Sequence, residues 1–321
     1  MVKVSVVMSI YNESKHEIVS AVNSILDQTF KDFEFIIIND NPDRLDLKNI
    51  LDEVKGMSDK IIVLDNIENR GLAYSLNRGI EKARGLYIAR MDSDDMALSN
   101  RLEMENDYLD EHPDVIVVSG NCDYIDGNDN KTGVKSRIPI TNRQISKLLP
   151  VGSDIIHPTV MMRKKEIKKL GIYRDFPTAE DYDLWLRCLS NNYKFGAIDK
   201  VLLHYRIRNS SMTHSDPLLL FLVENYQRSL FDFRNKNGID NYSVKNLKEY
   251  LELNNYNNRK FKSQYEKGEE YFQKFITEIK NRKVMKSLVN LIKSFCSTNL
   301  NRKRIILFFK YELVSFKIKR G

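Results

Sequence analysis

The chain has 321 residues, 42% of them hydrophobic and 30% charged, which supplies the apolar side chains of a full core and excludes a disordered chain. No run of about 18 apolar residues occurs and MVKVSVVMSI is no charged-then-apolar leader, so neither a membrane span nor a signal peptide is expected, and the cytoplasm is the expected compartment. Cys122, Cys188 and Cys296 are odd in number and far apart, fitting neither a disulfide framework nor a zinc site, while the net charge of +7 is concentrated at the end of the chain.

Along the chain, short β-rich runs alternate with helical patterns. Strands are expected at 3–10, 33–38, 60–65, 86–91 and 115–120, and helices at 13–28, 71–84 and 98–112, where apolar residues recur at three-to-four spacing. NRG at 69–71 opens the second of these helices. DGNDNKTG from Asp126 reads as a turn-rich loop, TAEDYDLWLRC as a helix and GAIDKVLLHYRIR as a strand. From Pro217 onward the pattern is helical, with Gly238 and Gly268 as the breaks. Alternation of this kind, with strands that are almost wholly apolar, implies an α/β fold with a mostly parallel sheet covered by helices on both faces.

In such sheets ligands bind at the carboxyl ends of the strands. Polar groups gather there: Ser9, Tyr11, Asn12 and Glu13 after the first strand, Asn39 and Asp40 after the second, Asp92 to Asp95 after the fourth. No G-x-G-x-x-G follows the first strand and no G-x-x-x-x-G-K-[ST] occurs, so there is no glycine-rich backbone cradle for phosphate. A diphosphate would then need a cation. Asp92 and Asp94, one residue apart at a strand end, offer oxygens to a hard divalent ion, Mg²⁺ or Mn²⁺. The same residues also suit a turn and helix N-cap, and the pattern alone leaves both readings open.

The motifs VSVVMSIYNE, SILDQTFKDFEFIIINDN, NRGLAYSLNRGIEKARGLYIARMDSDD and AEDYDLWLRC together resemble, in order and over roughly residues 3–210, the family 2 glycosyltransferases. These are inverting enzymes of the Rossmann-like GT-A fold that move a sugar from a nucleotide diphosphate. The resemblance implies a UDP-sugar donor, a hexose or N-acetylhexosamine, and a glycan or lipid-linked acceptor in capsule, cell-wall or other surface-polysaccharide synthesis. It implies that Ser9, Tyr11, Glu13, Asp40, Arg70, Asp92, Ser93 and Asp94 bind the donor, Asp40 accepting from the uracil imide. Asp92 and Asp94 would hold the metal and Asp181 would be the general base. This chain has Asn39-Asp40 where the family commonly has two aspartates, which loosens the inference about the base.

Inverting transfer needs a base on the acceptor and neutralisation of the leaving diphosphate, with no protein nucleophile. Asp181 meets the first need: its helical neighbours Trp185 and Cys188 make an apolar face against which its pKa can rise. Thr178-x-x-Asp181 also has the spacing of a capping box. Glu180 reads as an acid that binds or orients the acceptor, and Trp185 and His157 as further acceptor-binding residues. His157 equally suits an extended segment before proline. Late in the fold, Arg206 reads as a diphosphate clamp and His204 as a third metal ligand or a structural histidine.

Two domains are expected: a catalytic one at 1–215, with its nucleotide-sugar half at 1–120 and its acceptor half at 121–215, and a helical, basic extension at 216–321. Residues 280–321 carry 12 Lys/Arg against the single acid Glu312, a balance of +11, which leaves −4 for residues 1–279. In 299–321, Ile305, Phe309, Leu313 and Phe316 recur at helical spacing among basic residues. Three readings fit: peripheral contact with the inner membrane surface, pairing into a homo-oligomer, or packing on the body of the protein. Nucleic acid is not expected, because no recognition motif accompanies the charge. The competing functions are a sugar-phosphate nucleotidyltransferase, which needs a glycine-rich loop after the first strand, an aspartyl phosphatase, and a non-catalytic sugar-binding module.

Overall fold

A computed structural model describes residues 2–136, 138–207 and 216–320, without the side chains of 319 and 320. The expected boundary at 215 and Arg208, at the end of the expected last strand, lie outside the described residues. The chain forms two compact units: Met1–Ser146, Ser153–Asp175 and Asp183–Asn209 in the first, Lys147–Gly152, Phe176–Tyr182 and Ser210–Gly321 in the second. Two short segments that the sequence reading kept in the catalytic half thus group with the helical extension.

The first unit runs β1 (Val4–Ile10), α1 (Lys15–Leu26), β2 (Phe33–Asn39), α2 (Leu45–Gly56), β3 (Ile61–Asp65), α3 (Leu72–Lys82), β4 (Tyr87–Asp92), β5 (Met96–Ala97), α4 (Arg101–Glu111), β6 (Val115–Ile125) and β7 (Lys131–Lys135). There follow α5 (Asn142–Leu148), whose last two residues group with the second unit, a 3₁₀ turn (His157–Thr159), β8 (Met161–Arg163), α6 (Lys164–Lys169), α7 (Glu180–Ser190), whose first three residues group with the second unit, and β9 (Lys194–Arg206). The strand order is β3-β2-β1-β4-β8-β6-β9-β5, with β7 paired to β6.

β3, β2, β1 and β4 are mutually parallel, as consecutive crossover units require. β8 then runs antiparallel between β4 and β6, and β5 antiparallel to β9, while β6 and β9 are parallel. The antiparallel additions come from strands of two and three residues, too short to carry a pattern. One face of β1, through Val4, Val6, Met8 and Ile10, packs in the core with α1, α2 and α4. Val7 points the other way, toward α3.

Capping chemistry sets the helix starts near the strand ends. Ser14 accepts from the Glu17 N–H while the Glu17 carboxylate accepts from the Ser14 N–H at 2.7 Å, a capping box that opens α1. Gly71 caps α3 at φ 81°, a left-handed conformation open to glycine at little cost.

The second unit carries α8 (Pro217–Asn237), α9 (Val244–Leu253), α10 (Arg259–Lys280), α11 (Val284–Ser297) and α12 (Asn299–Arg320). Asp216 caps α8 by accepting from the Leu219 N–H, and Gly238 ends it at φ 70°. The expected break at Gly268 does not occur. Gly268 lies inside α10, where a Cβ would come within 2.5 Å of the Asn301 side chain. Glycine is there so that α12 can approach, and Asn301 donates to the Tyr265 carbonyl through the gap at 3.1 Å.

Candidate active site

The parallel register places the polar strand ends side by side: Ser9 opposite Asp92, Ile10 opposite Asn39, and Asn39 opposite Asp65. Tyr11, with an exposed ring, follows Ser9. Its N–H donates to the Glu13 carboxylate at 2.8 Å, and the Asn41 side chain donates to the Tyr11 carbonyl at 3.1 Å. Glu13 therefore shapes the loop that presents Tyr11.

Asp40 is buried and fully engaged. Its Oδ1 accepts from the Arg70 N–H at 2.9 Å and from Asn66 Nδ2 at 2.6 Å, and its Oδ2 from the Gly71 N–H at 2.9 Å. The carboxylate holds the 69–71 loop and the start of α3 rather than facing open space. Arg70 is left with an exposed guanidinium, stacked 4.6 Å from the Tyr74 ring centroid and 3.3 Å from Glu68. The buried Asn66, which bridges Asp40 to Ser75 Oγ at 2.8 Å, was not anticipated.

Ligand atoms of Asp92, Asp94 and Asp95 all lie within 4.8 Å of one another. Ser93 between them is buried. Asp95, which the sequence reading gave no role, is the most deeply buried of the three. Its Oδ1 accepts from the Arg206 N–H at 2.8 Å, while its Oδ2 has no hydrogen-bond partner among the described residues. Burial, then the charges of Asp92 and Asp94, push the Asp95 carboxyl well above the ordinary carboxylate range. Arg90 forms an ion pair with Asp92. It lies two residues before Asp92 on β4, hence on the same face, and is buried inside the run LYIAR. Three acids with ligand atoms this close, one of them with a buried oxygen that has no hydrogen-bond partner among the described residues, offer a set of oxygen donors at the strand end. That arrangement fits a hard divalent cation.

Arg206 does not present its guanidinium outward. Nε donates to the Asp94 carbonyl at 2.7 Å, Nη1 to the Asp126 carbonyl at 2.9 Å, and Nη2 lies 2.5 Å from Asp129. With its side chain fully buried, it fixes the aspartate loop. His204 lies on β9. It is outside the group of possible ion ligands, and β9 pairs it with Met96 and Asp123. Burial and Lys131 lower its pKa.

His157 sits in the 3₁₀ turn, its Nε2 2.7 Å from the Tyr173 hydroxyl. Burial, then the Arg90 guanidinium, hold its pKa well below the imidazole range, so it is neutral at pH 7. The Trp185 ring meets it edge-on at 6.1 Å. Trp185 is completely buried, so it backs His157 and offers no open platform. Glu180 and Asp181 belong to the second unit. Glu180 is buried and Asp181 half-buried at the start of α7, where Asp181 Oδ1 accepts from the Tyr182 N–H at 2.8 Å. Ala179 just before them has φ 54°, a strained conformation for a residue with a Cβ. Gln227, fully buried in α8, donates to the Ala179 carbonyl at 2.8 Å.

Residues 5–171 match the model of Glycosyl transferase family 2. An uncharacterized glycosyltransferase of Methanocaldococcus jannaschii is 37% identical over 206 residues, covering 64% of this chain and 71% of that protein. The O-antigen biosynthesis glycosyltransferase WbnJ of Escherichia coli is 33% identical over 241 residues, covering 74% and 92%. The UDP-Gal:alpha-D-GlcNAc-diphosphoundecaprenol beta-1,3-galactosyltransferase of Escherichia coli is 32% identical over 206 residues, covering 64% and 74%. Among solved structures, S. aureus TarS superposes with a TM-score of 0.55 at 19% identity over 78% of this chain and 42% of that one. Its fragment 1–349 in complex with UDP superposes at 0.53 over 78% and 69%. These likenesses match the GT-A architecture in the fold, and in sequence the chain belongs to glycosyl transferase family 2.

Proposed function

We propose that this glycosyltransferase moves a hexose or N-acetylhexosamine from a UDP-sugar to a hydroxyl of a glycan or lipid-linked acceptor, with inversion, in surface-polysaccharide synthesis. The observation that carries this reading is the close-set cluster of Asp92, Asp94 and Asp95 at the carboxyl end of β4, with Ser9 opposite Asp92 and Asp40 holding the 69–71 loop. The named functions of WbnJ and the galactosyltransferase support the substrate class.

Asp94 and Asp92, with Asp95 behind them, would hold Mn²⁺ or Mg²⁺, whose chemistry is to neutralise the leaving diphosphate. Arg90 limits the cluster's repulsion through Asp92, and Arg206 fixes the Asp94 backbone. Ser9, Tyr11, Ser93 and the exposed Arg70 guanidinium would bind the nucleotide, Glu13 and Asp40 holding the loops that present Tyr11 and Arg70. Asp181 takes the proton of the attacking hydroxyl as general base and Glu180 orients the acceptor. His157, neutral and backed by Trp185, contributes a hydrogen bond to the acceptor. The protein would work in the cytoplasm, as a homo-oligomer or peripherally on the inner membrane surface through 299–321.

Calorimetry with UDP tests the cluster. Asp94→Ala should remove the gain in UDP affinity that Mn²⁺ gives the unaltered protein. An undiminished, metal-enhanced affinity in the mutant would refute the assignment.

A further inference from the structure

α11 is built inside out. Val284, Met285, Leu288, Val289, Ile292 and Phe295 are all exposed, Met285 at 76% and Ile292 at 62%. The residues it turns inward include Ser287 at 0% and Ser294 at 1%. At 3.6 residues per turn the exposed apolar positions fill one unbroken arc of about 140°. The opposite side meets α10, where Asn290 donates to Glu278 at 2.7 Å. A helix that docked only to its own unit would present the reverse pattern.

α12 extends this surface. Ile306, Phe309, Leu313 and Phe316 are exposed along one stripe, and Lys303, Lys310 and Lys317 form an exposed row beside it at seven-residue intervals. The stripe expected from the sequence is thus present except for Ile305, which is buried with Phe272 and Phe275. Arg302 joins the two helices: its Nε donates to the Phe295 carbonyl at 3.0 Å and its guanidinium covers the Phe295 ring. On α11, Lys286 and Lys293 flank the apolar arc.

We infer that α11 and α12 together form a docking surface for an anionic phospholipid bilayer, α11 inserting its apolar arc and the lysines meeting the headgroups. This deepens the peripheral-contact reading above and shifts the inserted element from the tail alone to residues 284–296. Two features select the occupant. Residues 280–321 carry a balance of +11, complementary to anionic headgroups, whereas a second copy seated on the same face would set like charge against like. The centre of the surface is apolar, which suits acyl chains at the headgroup boundary and gives nucleic-acid phosphates nothing. No helix among the described residues is long and apolar enough to cross a membrane, so the pair lies in the interface.

The test is co-sedimentation of the full chain with phosphatidylcholine vesicles, with and without phosphatidylglycerol, at low and high salt. The unaltered protein should bind the phosphatidylglycerol vesicles, and less at high salt. The variant L288S/I292S should bind at least about tenfold more weakly, and K303E/K310E/K317E should lose the preference for phosphatidylglycerol. In a separate I292W variant, whose other tryptophan is the buried Trp185, emission should shift to the blue on binding. Absent binding to the anionic vesicles, full binding by L288S/I292S, or no shift in I292W overturns the inference. So does lipid-free light scattering in which an oligomer of the unaltered protein becomes a monomer in L288S/I292S. UDP calorimetry with Mn²⁺ keeps the two readings apart: its failure in the unaltered protein sinks the transfer reading and leaves the vesicle result standing.

Discussion

Asp40→Asn separates a residue that reads the base from one that holds a loop. In the native carboxylate, Oδ1 accepts from Arg70 N–H and Asn66 Nδ2, and Oδ2 from Gly71 N–H. An amide keeps one oxygen and turns the other into a donor, so at least one native N–H then faces an N–H. Losing one hydrogen bond to a charged acceptor costs about 1.5–3 kcal/mol, and removing the charge at the start of α3 adds about 0.3–1 kcal/mol through the helix dipole. The sum is about 2–4 kcal/mol, a fall of several degrees in the melting midpoint of a unit this size. Because the 69–71 loop is what loosens, calorimetry with UDP and with CDP should show both weakened by a similar factor. If instead the midpoint is unchanged and UDP alone is weakened, Asp40 meets the uracil imide directly and the loop-holding role is refuted.

Asp181→Asn should leave UDP affinity intact and lower turnover by about 10²–10⁴, read by UDP release per folded molecule; full activity would place the base elsewhere. Product from an α-linked donor should be the β anomer by NMR. Ala179→Gly should raise the melting midpoint, by about 1 kcal/mol of relieved left-handed strain, and Gln227→Leu, which releases the Ala179 carbonyl, should lower turnover more than it raises KM. Glu34 gives the pH dependence. Burial raises its pKa, but the Ser5 hydroxyl and the Arg84 N–H and guanidinium outweigh this and hold it below the ordinary value. Its contribution is therefore present above the unfolded pKa of about 4.3 and lost as pH falls through the folded one. Glu34→Gln should cost about 1–3 kcal/mol at pH 7, a gap that narrows in denaturant melts as pH falls below the unfolded value.

The parallel half of the sheet was legible because buried strands with crossover helices are written as apolar runs separated by periodic segments, and β1 to β4 are such runs. α2 was readable but passed over: Leu47, Ile50, Leu51 and Val54 have helical spacing and all are buried. β5 and β8 were not readable at all, since so few residues become strands only through their partners. Gly268 misled because propensity says break while packing against Asn301 demands a residue without a side chain. At the site, residue type and strand-end position point to Asp92, Asp94 and Asp40, but not to the contacts that their side chains make. Arg206 and Trp185 look like ligand-binding groups in sequence, which does not show that tertiary packing buries both side chains. Arg90 had a signal that went unused, an arginine in an apolar strand two positions from an aspartate.

The aspartate loop depends on a part of the chain far from it in sequence. β4 ends at Asp92 and the chain must turn while carrying three carboxylates that repel one another, a conformation that local preferences do not secure. β9 secures it from more than a hundred residues away: the Arg206 N–H holds the Asp95 carboxylate and its guanidinium holds the Asp94 carbonyl. Asp129, paired with Arg206 and 2.8 Å from His16 on α1, ties the same arginine to the helix that follows β1. A positive charge sealed behind the loop does two things at once. It lowers the electrostatic cost of massing acids at a strand end, and it holds the loop in which ligand atoms of Asp92, Asp94 and Asp95 come within 4.8 Å of one another. This is why the late strand β9, which supplies no group to a ligand in this reading, is as necessary to the site as the acids themselves.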